Sequence, residues 1–325
     1  MTASASFSGA DAVFTYFSQE SRILMVKQDT TVSLGVGKFT NSGNTRTAGL
    51  EQYYTPEDLA ERLTQTFVDV VSADVRSDAF IEPAAGTGSF VEALKSLGAA
   101  NILAYDIAPK HPDVEEANFL DLLLEDTGML CVTNPPFGRN NSLSAPFFNK
   151  LARHCSHIGF IIPKSWRKWT VQDRLDRRAQ LVYDEDVAVH YVDDNGENLY
   201  DSKKPGVNTV FQIWRIRSDG YRREKVVVPD HGLIVPTTPA EADVALIVFG
   251  HSCGKVFEDF DRSKKKTTTM YLKVSDPSVI DVLKSLPYDE FSENVSFVKA
   301  LSIHEIRFLL NRELELTNPK IKAVS

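Results

Sequence analysis

The run Val132-Thr133-Asn134-Pro135-Pro136-Phe137-Gly138 is where residue type and spacing define a chemistry most sharply. Met129 to Val132 is apolar and predicts a buried strand, so Asn134 emerges at a strand's C-terminal end. Two consecutive prolines fix φ, donate no N–H and bias the residues before them away from helix. The backbone after the strand is therefore stiff and extended, with carbonyls that no local turn consumes. An Asn134 side chain beside such carbonyls sets two acceptors around one small volume. That arrangement suits a planar amino group whose hydrogens are both held while its lone pair turns outward, with Phe137 stacked on the ring that bears it. The same residues also read as a plain strand-ending turn closed by an aromatic plug.

Other elements must position such a group, and the chain upstream supplies them. In Gln52-Tyr53-Tyr54-Thr55-Pro56-Glu57-Asp58, Thr55 suits a helix N-cap, Pro56 the first helical position, and the acids the positive end of the dipole. A helix is predicted from there to about Val71. Phe80-Ile81-Glu82-Pro83-Ala84-Ala85-Gly86-Thr87-Gly88-Ser89-Phe90 then reads as strand, Gly-x-Gly turn and helix, the unit that receives nucleotide-like ligands in α/β sheets. The third glycine of the dinucleotide fingerprint is absent and Glu82 precedes the turn, which argues against NAD. A second strand, Ile102 to Tyr105, ends at Asp106, where an acid accepts from ribose hydroxyls. Asn118-Phe119-Leu120-Asp121 follows, with Asp121 a candidate acceptor for an adenine amino group. Gly35-Val36-Gly37-Lys38 is not a phosphate loop, because the earlier glycine is missing and Phe39 follows the lysine.

In this order the motifs resemble the S-adenosylmethionine-dependent amino-methyltransferases. They are most similar to DNA adenine-N6 methyltransferases with an Asn-Pro-Pro-Phe motif. The resemblance spans about residues 50–217. It continues through Gly159-Phe160-Ile161-Ile162-Pro163-Lys164-Ser165-Trp166 and through Val207-Asn208-Thr209-Val210-Phe211-Gln212-Ile213-Trp214, which look like the family's fifth strand and its late central strand. It implies an α/β fold with a Rossmann-like methyltransferase sheet, mixed because of a late antiparallel strand. It implies S-adenosylmethionine as cofactor, with its methionine end held by Tyr54, Thr55, Glu82, Pro83, Gly86 and Gly88, its ribose by Asp106 and its adenine by Asp121. Asn134, Pro135, Pro136 and Phe137 would form the catalytic loop around the target base. Glu82 stands where the family more often has Asp.

Such chemistry needs no covalent intermediate and no strong base. It needs acceptors that favour a pyramidal nitrogen and in-line placement, which can supply ~7–11 kcal/mol. No cysteine follows a proline, which sets aside thiolate attack on a pyrimidine ring. In a duplex the adenine must first be flipped out. Arg139, Lys164, Trp166, Arg167 and Lys168 combine cations and aromatics suited to phosphates and bases, or alternatively form a solvated face with the tryptophans turned inward. The neighbouring enzyme readings are an RNA adenine or guanine amine and a protein glutamine amide as methyl acceptor. A non-enzyme reading is an inactive cofactor- or nucleic-acid-binding module.

Charge divides the chain. Residues 1–149 carry 9 Lys/Arg against 19 Asp/Glu, whereas residues 150–217 carry 12 against 9. An acidic chain does not coat nucleic acid indiscriminately, so contacts belong to local basic patches beyond residue 150. Three cysteines share no metal-ligand spacing, and no metal is expected. The absence of a long apolar run or leader predicts a protein of a reducing compartment, cytoplasmic or, in a eukaryotic host, nuclear, without membrane contact. Residues 1–49 are expected to be an extension and flexible loop, 50–217 the catalytic domain, and 218–325 a small α+β domain for substrate recognition. In that last domain strands are expected at Val226–Val228, Ala245–Phe249 and Met270–Val274. Helices are expected from Asp276 to Leu286 and, behind the capping box Ser302-Ile303-His304-Glu305, to about Leu316. The partner is nucleic acid, DNA before RNA.

Overall fold

The computed structural model describes residues 46–47, 50–51, 54–125, 127–190 and 207–316. Most of the expected extension and loop at 1–49 lies outside the described residues; at its end β1 (Arg46–Thr47) pairs antiparallel with β2 (Leu50–Glu51). The chain divides into two compact units. The first comprises the residues up to Ile162 and Asp173–Lys225.

In the first unit, α1 (Glu57–Val71) buries Ala60, Leu63, Thr64 and Phe67, one stripe at helical spacing. It ends at Ser72 in the left-handed conformation. There follow β3 (Ala79–Glu82), α2 (Ser89–Ser96), β4 (Asn101–Asp106), β5 (Glu115–Glu116), β6 (Met129–Thr133), α3 (Ser144–Leu151), β7 (Cys155–Pro163), then β8 (Ala179–Val187) and β9 (Thr209–Ile216). They form a seven-stranded sheet in the order β5-β4-β3-β6-β7-β9-β8. The strands from β5 across to β7 run parallel, while β8 and β9 are antiparallel to each other. The sheet is therefore mixed, as expected, with the departure at its late strands. Beyond β5, β4 and β3 the order reverses toward β6 and β7, so the C-terminal ends of β3 and β6 flank a topological switch point, where α/β sheets bind ligands.

Neighbouring residues on a strand face opposite sides, which lets one sheet carry helices on both faces. On one face Phe80, Leu130, Val132, Ile161, Phe211 and Ile213 pack with Phe67 of α1 and Leu94 of α2. On the other, Phe148 of α3 meets Phe160 and Trp214 edge-on, with ring centroids 5.7 and 5.6 Å away.

The second unit is built from Pro163–Gln172 and the chain from Val226 on. It holds the short α4 (Trp169–Gln172), β10 (Ile234–Pro236), β11 (Val244–Ile247), β12 (Val256–Phe257), β13 (Thr269–Val274), α5 (Ser278–Ser285), α6 (Asp289–Ser292) and α7 (Ile303–Glu313). Its antiparallel sheet, ordered β10-β13-β11-β12, shares a core with the helices through Leu246, Leu272, Leu283, Ile306 and Leu309. The capping box at Ser302 is formed in full with Glu305. Val226–Val228 is not a strand. Val226 and Val228 pack on the core while Val227 is 80% exposed, so the alternation is present without a partner strand. Among the described residues no helix is long and apolar enough to cross a membrane.

Candidate active site

The ends of β3 and β6 and the start of α1 enclose an open cleft of about 250 Å³, including solvent at its mouth. Tyr54, Thr55, Gly86 and Asn134 line it with Ala84, Ala85, Thr87, Ser89 and Phe90. Four residues chosen from three separate sequence motifs thus meet in one place.

The glycine turn is shaped by close approach. Gly86 has φ +49°, and a Cβ there would lie 2.7 Å from the Tyr54 ring. Gly88, at φ +84°, would collide in the same way with the His111 ring at 2.6 Å. Both positions therefore require glycine twice over, for backbone and for space. The turn is held from β4, because Asp106 Oδ2 accepts from Gly86 N–H and Oδ1 from Ala108 N–H, each at 2.8 Å. Gly88 occupies the N-cap position of α2 without a side-chain capping bond.

The start of α1 differs from expectation by one residue. Pro56, not Thr55, is the N-cap, with ψ 145° and no side-chain capping bond. Proline at this position leaves the first-turn N–H groups without a capping oxygen. Thr55 instead lines the cleft, and its carbonyl accepts from Ser89 Oγ at 2.8 Å, joining the starts of α1 and α2. Ser89, Thr87 and His111 had no signal of their own in the sequence, since their roles come from neighbours distant along the chain.

Glu82 is 1% exposed at the end of β3. Its Oε1 accepts from Ala84 N–H at 3.0 Å and from the Thr133 hydroxyl, while Oε2 is buried without a hydrogen-bond partner. Burial pushes its carboxyl up to about 8, with the charge of Asp106 adding to the effect against the two hydrogen bonds. Pro83 beside it is buried.

Asn134 follows the last residue of β6, with its side-chain oxygen buried. The loop beyond it is tightly wound. Gly138, Asn140 and Asn141 all have positive φ, and Arg174 donates to the carbonyls of Asn140 and Asn141 at 2.8 and 3.1 Å. Phe137 corrects the expectation of an available stacking face. It is 9% exposed and belongs to the core cluster with Val132, Leu63 and Phe211, so it is the aromatic plug of the alternative reading.

Asp121 is exposed in a single 3-10 turn (Phe119–Asp121), accepts from Asn118 Nδ2 at 2.7 Å and is not among the cleft-lining residues. Arg139 is exposed in the loop that follows Asn134, and Lys164 and Arg167 are half-buried in a turn after β7. Trp166 and Lys168 correct the expectation of a nucleic-acid contact. Trp166 is fully buried, and Lys168 Nζ lies 2.8 Å from Glu305 Oε1 and donates to the Ala300 carbonyl. Trp169 packs on Phe291 and Phe308. Both tryptophans are turned inward, as in the alternative reading, and Trp169 belongs to the core of the second unit.

No protein-family model matches the chain, and no curated protein matches it. Solved structures similar to it share low identity. One, from Pyrococcus horikoshii and provisionally described as an RNA methyltransferase, is 16% identical with a TM-score of 0.41, over 53% of this chain and 90% of its own. A Listeria monocytogenes protein, provisionally described as a class I S-adenosylmethionine-dependent methyltransferase, is 13% identical with a TM-score of 0.39, over 53% of this chain and 64% of its own. A 23S rRNA methyltransferase is 15% identical with a TM-score of 0.35, over 52% of this chain and 71% of its own.

Proposed function

We propose that this protein transfers a methyl group from S-adenosylmethionine to the exocyclic N6 amine of adenine in nucleic acid, with DNA the first substrate class. The observation that carries the proposal is the meeting of Asn134 with the glycine turn and the start of α1 in one cleft at the sheet's switch point. The residues fit the cofactor. The turn admits no Cβ at Gly86, and Glu82 Oε2 is a buried acceptor lacking a donor, which an ammonium group would satisfy. Tyr54, Thr55, Glu82, Gly86, Gly88 and Asp106 would hold the cofactor, which supplies an electrophilic methyl group on a sulfonium.

The chain's own contribution is positional. Asn134 Oδ1 would accept from the target amine and favour its pyramidal form, an interaction that strengthens as the nitrogen gains positive charge. Pro135 and Pro136 keep the loop extended without competing donors. Asn134 is not a base, so the proton released by the methylated amine leaves to solvent. The second unit, by this reading, recognises the substrate, and exposed Arg139 contacts a phosphate.

The test is methyl transfer from labelled cofactor to DNA, RNA and protein, followed by hydrolysis to nucleosides. Label in N6-methyladenine from DNA is expected. Label in RNA adenine alone would move the substrate class, and label confined to protein or guanine would overturn the reading.

A further inference from the structure

One carboxyl touches both halves of the candidate site. Glu82 Oε1 accepts from Ala84 N–H inside the glycine turn and from the hydroxyl of Thr133, the residue before Asn134. Glu82 and Thr133 end adjacent parallel strands and are 1% and 0% exposed, so water does not compete for the bond. The four residues before Thr133 on its strand are apolar and buried, a setting in which valine would fill the same space. A hydroxyl in that position is worth having only for its bond, since an unsatisfied buried hydroxyl is costly.

We infer that Thr133 is a positioning residue, tying the strand that carries Asn134 to the glycine turn through Glu82, so that cofactor held by the turn sets the catalytic side chain. This rests on the methyl-transfer reading. The coupling is electrostatic. An ammonium group at the unsatisfied Oε2 would favour the ionised carboxylate. An ionised acceptor binds a hydroxyl about twice as strongly as a neutral one, which draws Thr133 and its neighbour into register. Asp106 on β4 is the charged group that opposes this ionisation, and the Cys131 thiol on β6 stays neutral because burial pushes it well up.

The experiment compares full-length wild type, Thr133→Val and Thr133→Ser for cofactor affinity by calorimetry and single-turnover methyl transfer at saturating cofactor. Thr133→Val should lower the single-turnover rate by about tenfold or more and, at a pH above the acid limb of binding, move cofactor affinity by less than about threefold. It should also shift the acid limb of cofactor binding to higher pH, because the lost hydrogen bond is one that lowers the Glu82 pKa. Thr133→Ser should restore both. A Thr133→Val rate equal to wild type, or a loss that Thr133→Ser does not repair, would overturn the positioning role alone. A wild type that methylates no acceptor would overturn the functional reading beneath it.

Discussion

The backbone N–H of Gly86 donates to Asp106 Oδ2 at 2.8 Å, so a single carboxylate at the tip of β4 holds the turn at the tip of β3. With Oδ1 taken by Ala108 N–H, Asp106 shapes the turn, and in the proposed function its remaining lone pairs accept from the ribose diol. Asp106→Ala should therefore weaken S-adenosylmethionine binding, by ~1.5–3 kcal/mol for each charged hydrogen bond lost. Calorimetry that found unchanged affinity would remove Asp106 from the cofactor site.

The Glu82 carboxyl predicts a pH dependence of folding. Its pKa is about 8 in the folded chain against the ordinary carboxyl value of 4.5, so between those values the folded state binds the extra proton. Stability from this group falls as pH rises from about 4.5 to 8 and is level beyond, a span worth a few kcal/mol by linkage. Glu82→Gln should remove that slope. Denaturant titrations at the two ends of the range with equal slopes for both proteins would contradict the burial argument.

Phe137 is a core residue, and its truncation should be read in stability. Phe137→Ala is expected to cost ~3–5 kcal/mol of folding free energy, the range for emptying a buried aromatic site. Unchanged stability of Phe137→Ala would contradict the placement of this ring in the core.

Lys168 pairs with a Glu305 that is 1% exposed and already caps α7 through Ser302. Lys168→Ala leaves that carboxylate buried without its cation, at a cost of ~3–5 kcal/mol. Urea unfolding should show the loss, whereas a phosphate contact would show instead as a salt-dependent loss of nucleic-acid affinity at unchanged stability.

These residues also mark what could be read from sequence. The strand ends at Glu82, Asp106 and Thr133, the glycine turn and the box at Ser302 were legible because each is written within a few consecutive residues. Helix α1 was legible to its last residue, Val71, but its cap moved by one because no capping bond forms at its start. The destination of 163–172 was not legible. Lys168 and its acceptor at Ala300 are 132 residues apart, and cations interleaved with tryptophans suit a nucleic acid and a core equally well. The link from Thr133 to Glu82 spans 51 residues and was invisible for the same reason.

The central claim rests on Asn134, and single-turnover methyl transfer by Asn134→Ala tests it most directly. With cofactor saturating and adenine-containing single- and double-stranded DNA as acceptors, cofactor affinity should stay near wild type, since by the proposed function Asn134 acts on the acceptor amine. The rate should fall by ~10²–10³, the scale known for removing one preorganised group that binds mainly in the transition state. A near-normal rate from Asn134→Ala would contradict the account at its centre.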